Sequence, residues 1–345
     1  MNRRKFIQQS ALTTAGIACI PSFLSANTKE DIILGHNKKR YRINTKWSKQ
    51  DFVRYPVKDC HEMVQDSKGR IILLTNETKN NVIIYNKKGK LLTTWGSEYP
   101  GAHGLTLFNE NGEEVLFICD NNRHQVIKTT LTGKVLMTLD YPKETGQYTK
   151  AEEFVPTETA IAPNGDIYVA DGYGKDFIIQ YNSKGEYIRH WGGRGTEDKH
   201  LKNAHGVCYD NRDKNNPVML VTSREQNAFK RYTLDGTYLD TIALPGAWVC
   251  RPVIHGDYLY AAVLQSNNNQ WKQSGFVTIL DKNNKVVSNL GGTEPVYSNN
   301  TLAEMSQADK IFQYPHDVCI DDEENMYVAQ WNSGQVLPYK LTPVV

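Results

Sequence analysis

Histidine carries most of the chemistry available to this chain. Of its nine histidines, three stand in one recurring context: Ala102-His103-Gly104-Leu105, Ala204-His205-Gly206-Val207 and Pro315-His316-Asp317-Val318. A looser copy runs Asp59-Cys60-His61-Glu62-Met63. Imidazole is the commonest transition-metal ligand, and three of them on one ion leave open positions for water or substrate, as a catalytic zinc requires. Their separation along the chain matches no local metal motif, so a repeat must bring them together. The plain alternative is a repeat that favours His at the turn before a buried strand, bonded only to backbone. His61 adds a fourth member: a further ligand, a substrate contact or a turn residue. His36, His124, His190, His200 and His255 lack this register and are expected to be structural or solvated.

The elements that must position these side chains are plainest in residues 154–191. Four runs rich in β-branched and aromatic residues (159–162, 166–170, 177–181 and 187–191) are separated by Pro163-Asn164-Gly165, Asp171-Gly172-Tyr173-Gly174 and Ser183-Lys184-Gly185, which are turn signals. The pattern predicts a four-stranded antiparallel meander. One such sheet cannot cover its own faces, so further copies are required. They are present as six units starting near 61, 103, 157, 205, 251 and 316, with Thr157 in the His place of the third and Arg251 in that of the degenerate fifth. The sixth unit reaches Val345 after three strands, and residues 41–47, which look like 187–191, supply its fourth. The sequence therefore predicts an all-β fold, a six-bladed β-propeller over residues 41–345 whose last blade is closed by an N-terminal strand, with residues 27–40 as a linker.

In a propeller the segments entering the first strands converge on the axis at one end, where the loops between second and third strands also open. Alternate blades lie roughly 120° apart, so His103, His205 and His316 can meet a single ion. The neighbouring loops contribute Tyr173, Arg224 and Trp331. A tyrosine beside a cation-rich, metal-bearing mouth is expected to have its pKa lowered toward that of a base, and Arg224 is suited to hold a carboxylate bidentately. The structural alternative has Tyr173 packing between blades and Arg224 pairing with Glu225.

Residues 1–26 are of another kind. Asn2-Arg3-Arg4-Lys5-Phe6 precedes a mildly apolar run, residues 11–24, and no acid occurs before Glu30. This resembles a twin-arginine export signal, read by the export machinery and excluded from the fold; it implies a periplasmic or otherwise exported protein. Cys19, in an imperfect lipoprotein box, leaves lipid anchoring open. The formal charge of +2 argues against nucleic acid as partner, and removing Arg3, Arg4 and Lys5 takes it to −1. No transmembrane span is expected in the mature protein, and a monomer is expected. Cys60, Cys119, Cys208, Cys250 and Cys319 are scattered singly and read as buried free thiols.

The repeats resemble NHL repeats, and the whole is similar to the peptidyl-α-hydroxyglycine α-amidating lyase family. The likeness is densest over residues 154–239 and in Tyr314-Pro315-His316-Asp317-Val318-Cys319. It implies that His103, His205 and His316 bind Zn²⁺, that Tyr173 is the catalytic base, that Arg224 binds the substrate carboxylate, and that Asp317 serves a structural Ca²⁺ site. Two departures stand out. The family has an arginine in a loop where this chain reads Thr75-Asn76-Glu77, leaving Arg251 as the candidate substitute, with His61 and Trp331 as further substrate contacts. The family's cysteine after Asp-Gly-Tyr is Gly174, so the disulfide it implies is missing. The expectation is a metal-dependent lyase-like enzyme that cleaves a C–N or C–O bond in a small carboxylated or peptide substrate. The competing readings are a non-catalytic NHL propeller that binds a peptide, glycan or protein, and a calcium-dependent lactonase-type propeller, which is disfavoured because this face offers His rather than Glu, Asn and Asp.

Overall fold

A computed structural model describes residues 32–266 and 272–344. Residues 1–26, read above as a twin-arginine signal, with Cys19 among them, lie outside the described residues.

Six antiparallel sheets form the six blades. The inner strands are Cys60–Gln65, Ala102–Glu110, Glu158–Ile161, Val207–Asp210, the pair Ala247–Val249 with Val253–His255, and Pro315–Ile320. Each inner strand packs beside the next, and the sixth packs beside the first, which closes the ring around a central axis. The second strands, such as Ile71–Thr75 and Met326–Gln330, are buried at every position. Alternation explains this. In blade 1, Ile71 and Leu73 face blade 6 while Ile72 and Leu74 face blade 2. A strand with apolar neighbours on both faces loses the polar half of its period. Six apolar clusters result, one in each gap between blades.

In the sixth sheet, Lys39–Asn44 pairs with Tyr339–Pro343, with Tyr41 opposite Pro343. Ile33–His36 adds a fifth strand outside it, so residues 33–36 belong to the propeller rather than to a linker. Leu34 is buried in the gap with blade 5, and the His36 backbone N–H donates to Ser288 Oγ at 2.8 Å. Beyond the outer strand, Trp47 packs in the blade 6/blade 1 gap and donates its indole N–H to the Lys87 carbonyl at 2.9 Å. Trp95 repeats the device between blades 1 and 2, onto Leu131.

Blade 5 departs from the pattern. Its inner strand is broken at Cys250-Arg251-Pro252 and carries a register shift between Trp248 and Val249. Proline cannot donate to the ladder, so the break falls at it.

Candidate functional site

Cys250 and Thr157 are the residues of the fifth and third inner strands that donate their backbone N–H to the second strand at the same level, to Ala262 and Ala170. This pairing puts Cys250, and not Arg251, at the ring position of the histidines. Going round the axis, the upper ring reads His61, His103, Thr157, His205, Cys250, His316. The residues that follow form a lower ring: Glu62, Gly104, Glu158, Gly206, Arg251, Asp317.

The upper ring is a packed imidazole cluster. His103, His205 and His316 stand with ring centroids 4.8–4.9 Å apart, and His61 lies 4.8 Å from His103 and 4.9 Å from His316. The ligand atoms gather in two overlapping triplets, His61/His103/His316 and His205/Cys250/His316, each within 4.8 Å. The expected trio is thus brought together, but with His61 and Cys250 included. Cys250 was missed because a lone cysteine in an apolar run has no signal of its own; only the register of the repeat marks it.

Each element holds its ring in place. His103 Nδ1–H donates to the Thr157 carbonyl at 2.8 Å, and His316 Nδ1–H to the His61 carbonyl at 3.2 Å. A carbonyl can only accept, so both rings carry their proton on Nδ1 and leave the Nε2 lone pair as an acceptor, the arrangement typical of metal-ligating histidines. The Nδ1 atoms of His61 and His205 are buried with no hydrogen-bond partner. Burial pushes the pKa of all four rings down, His61 to about 3, so they are neutral donors at pH 7. Buried neutral imidazoles with orphaned nitrogens fit a divalent transition metal.

Tyr173 stands over this cluster. Its hydroxyl lies 3.2 Å from His103 Nε2 and 3.1 Å from His205 Nε2, while 42% of the residue remains exposed in the mouth. The Asp-Gly-Tyr-Gly loop is anchored by buried Asp171, which accepts from Tyr148 Oη at 2.6 Å and from the backbone N–H groups of Val155 and Lys175. A Cβ on Gly172 would meet the Ala204 carbonyl at 2.3 Å, so this loop can seat against the His205 segment only with glycine there. Burial pushes the Tyr173 pKa above the ordinary phenol value, with Arg224 acting against it. The expected lowering is therefore not supplied by the protein alone.

Arg224 opens a one-turn 3-10 helix, Arg224–Gln226, and its N–H shares the Asn203 carbonyl with that of His205. The side chain is buried, donating to the Val249 carbonyl at 3.1 Å and to Cys250 Sγ at 3.1 Å, over the Trp248 ring. It does not pair with Glu225, which bonds Arg194. Above the histidines lies a cavity of about 390 Å³ lined by His61, His103, Tyr173 and Trp331, together with Lys58, Asn76 and Asn121. Lys58 and Asn121 gave no signal in the sequence, because neither sits at a repeat position.

Arg251 is absent from this mouth. It belongs to the lower ring, where it is paired with Asp317 at 2.7 Å. Asp317 shares that ring and faces away from the imidazoles.

No protein-family model matches the chain. It is 30% identical over 156 residues to a probable peptidyl-alpha-hydroxyglycine alpha-amidating lyase of Caenorhabditis elegans, covering 45% of this chain and 40% of that protein. It is 36% identical over 108 residues to peptidyl-alpha-hydroxyglycine alpha-amidating lyase 1 of Drosophila melanogaster, covering 30% and 19%. The chain thus spans less than half the length of these relatives. Among solved structures it is similar to a gluconolactonase from Xanthomonas campestris (TM-score 0.59, 10% identity, 90% and 94% of the two chains) and a virginiamycin B lyase from Staphylococcus aureus (TM-score 0.54, 16% identity, 83% and 96%). At these identities the likeness is one of fold. Among the described residues no helix is long and apolar enough to cross a membrane.

Proposed function

We propose that this chain is an exported, metal-dependent propeller lyase that cleaves the C–N or C–O bond of a small carboxylated substrate of the α-hydroxyglycine type. The observation that carries the reading is the floor of the mouth, where the Tyr173 hydroxyl meets two of four buried neutral imidazoles. A zinc or other divalent transition ion held there, by His103, His205 and His316 with His61 and Cys250 adjoining, would polarise the substrate hydroxyl and draw the Tyr173 phenol down toward the range of a base.

Tyr173 Oη takes the proton of the substrate hydroxyl. Electrons of the released O–H bond form a carbonyl as the C–N bond breaks, and the departing nitrogen takes up a proton, giving an amide and an α-oxo acid. Arg224, buried beside Cys250, and Lys58 in the wall of the mouth are the cations for the substrate carboxylate. With no arginine in residues 75–77 the substrate is read as related to a peptidyl α-hydroxyglycine rather than the same.

The test is elemental analysis of the purified protein beside an assay for release of α-oxo acid from short N-acyl α-hydroxyglycines. About one equivalent of transition metal, with metal and activity both lost in His205→Ala, is the expected result. A metal-free wild type indifferent to chelator, or His205→Ala with full metal and activity, sinks the reading; a wild type that instead binds peptide or glycan without turnover is a non-catalytic propeller.

A further inference from the structure

The lower ring is a cage of oxygens with a guanidinium inside it. Arg251 Nε and Nη2 donate to the two carboxylate oxygens of Asp317 at 2.7 and 2.9 Å. Nη1 donates to the Leu105 carbonyl at 3.0 Å and Nη2 to the Met63 carbonyl at 3.0 Å. Glu62 Oε2 stands 3.2 Å from Nη1 and Glu158 Oε2 3.5 Å. These oxygens come from blades 1, 2, 3 and 6 and converge on a side chain delivered by blade 5. Glu62, Glu158 and Asp317 are at most 1% exposed. The two glycines of the ring let neighbouring inner strands approach closely; a Cβ on Gly104 would meet the Thr157 carbonyl at 2.5 Å and one on Gly206 would meet Arg251 Cα at 2.4 Å.

Two backbone carbonyls with three carboxylates are an all-oxygen set of the kind that hard divalent cations take, with calcium accepting about 6–8 such oxygens. The guanidinium faces three buried carboxyl groups, and a buried charge stripped of its partner is costly. The structural calcium that the sequence resemblance attaches to Asp317 does not fit beside the guanidinium, because both carboxylate oxygens and both carbonyls are already engaged by Arg251. We propose that Arg251 is a resident cation: its guanidinium fills a hard-cation cage on the propeller axis, ties the inner strands of five blades to one group, and makes this part of the ring independent of calcium. Shortening the side chain exchanges arginine for a divalent ion.

Calcium binding by calorimetry, with thermal unfolding, tests this on the full chain and on Arg251→Ala. For the wild type, unfolding is expected to be unchanged between chelator and millimolar calcium. Arg251→Ala is expected to unfold at lower temperature in chelator, to bind one equivalent of calcium, and to regain about 5 °C or more at saturation. Arg251→Met, which fills space without charge or donors and blocks the ion, is expected to show no calcium response. If Arg251→Ala does not fold in chelator, recovery by refolding with calcium reads the same way. The proposal is overturned by a wild type whose unfolding temperature rises with calcium at one site, by Arg251→Ala that folds but ignores calcium, or by Arg251→Ala that folds in neither medium.

Discussion

Tyr173 is the side chain on which the catalytic reading turns, and its surroundings set a clear expectation. Its hydroxyl touches His103 and His205 but no backbone group of its own loop. Removing the oxygen should leave the imidazoles in place. Tyr173→Phe is expected to keep its full metal content and to lose about 10²–10⁴-fold in kcat, the usual share of a positioned proton acceptor. Metal analysis beside steady-state kinetics checks this; a variant that loses metal in parallel with activity would make Tyr173 a ligand rather than a base. Cys250 offers a second contrast. Burial pushes its thiol pKa up and the Arg224 guanidinium pulls the other way, so a soft ligand stands at the edge of the nitrogen cluster.

At the scale of elements, the turn 171–174 decides whether Tyr173 is presented at all. Burial pushes the Asp171 carboxyl up to about 7, although three groups donate to it. An unfolded aspartate titrates near 3.9. Between roughly pH 4 and 7 the folded chain therefore holds a proton that the unfolded chain has lost, and this group's contribution to stability falls as pH rises through that window. Asp171→Asn is expected to flatten that slope, measured as the thermal midpoint from pH 4 to 8. Gly206 belongs to the same scale, since a methyl there strikes the backbone of Arg251. Gly206→Ala should cost about 1–3 kcal/mol by overpacking, read by chemical denaturation.

For the whole molecule the question is closure. Tyr41 and Leu34 are each 1% exposed and sit in the gap between blades 5 and 6, so the outer strands of the sixth sheet are part of the core. Tyr41→Ala is expected to cost about 3–5 kcal/mol, as for a buried aromatic cut to alanine. A chain lacking residues 32–44 should expose Tyr339–Pro343 as an unpaired edge and self-associate, which size-exclusion chromatography would show. A monodisperse, undiminished truncated protein would mean that the ring does not need this strand.

Blade count, the four-strand meander and the recurrence of His103, His205 and His316 at one repeat position were legible in the residues alone, because these rest on local turn chemistry and on a period repeated six times. Tertiary structure decided what depends on register and on the meeting of distant segments. The pairing of Cys250 with Ala262 and of Val253 with Tyr260 set Cys250 at the histidine level and Arg251 among the carboxylates, a difference of one residue that periodicity cannot detect in a degenerate repeat. Ile33–His36 became a strand by pairing with residues 39–42 and by seating Leu34 and the His36 N–H against blade 5. The meeting of the Tyr173 hydroxyl with His103 and His205 likewise belongs to the packed mouth, since it joins three blades that no residue pattern relates.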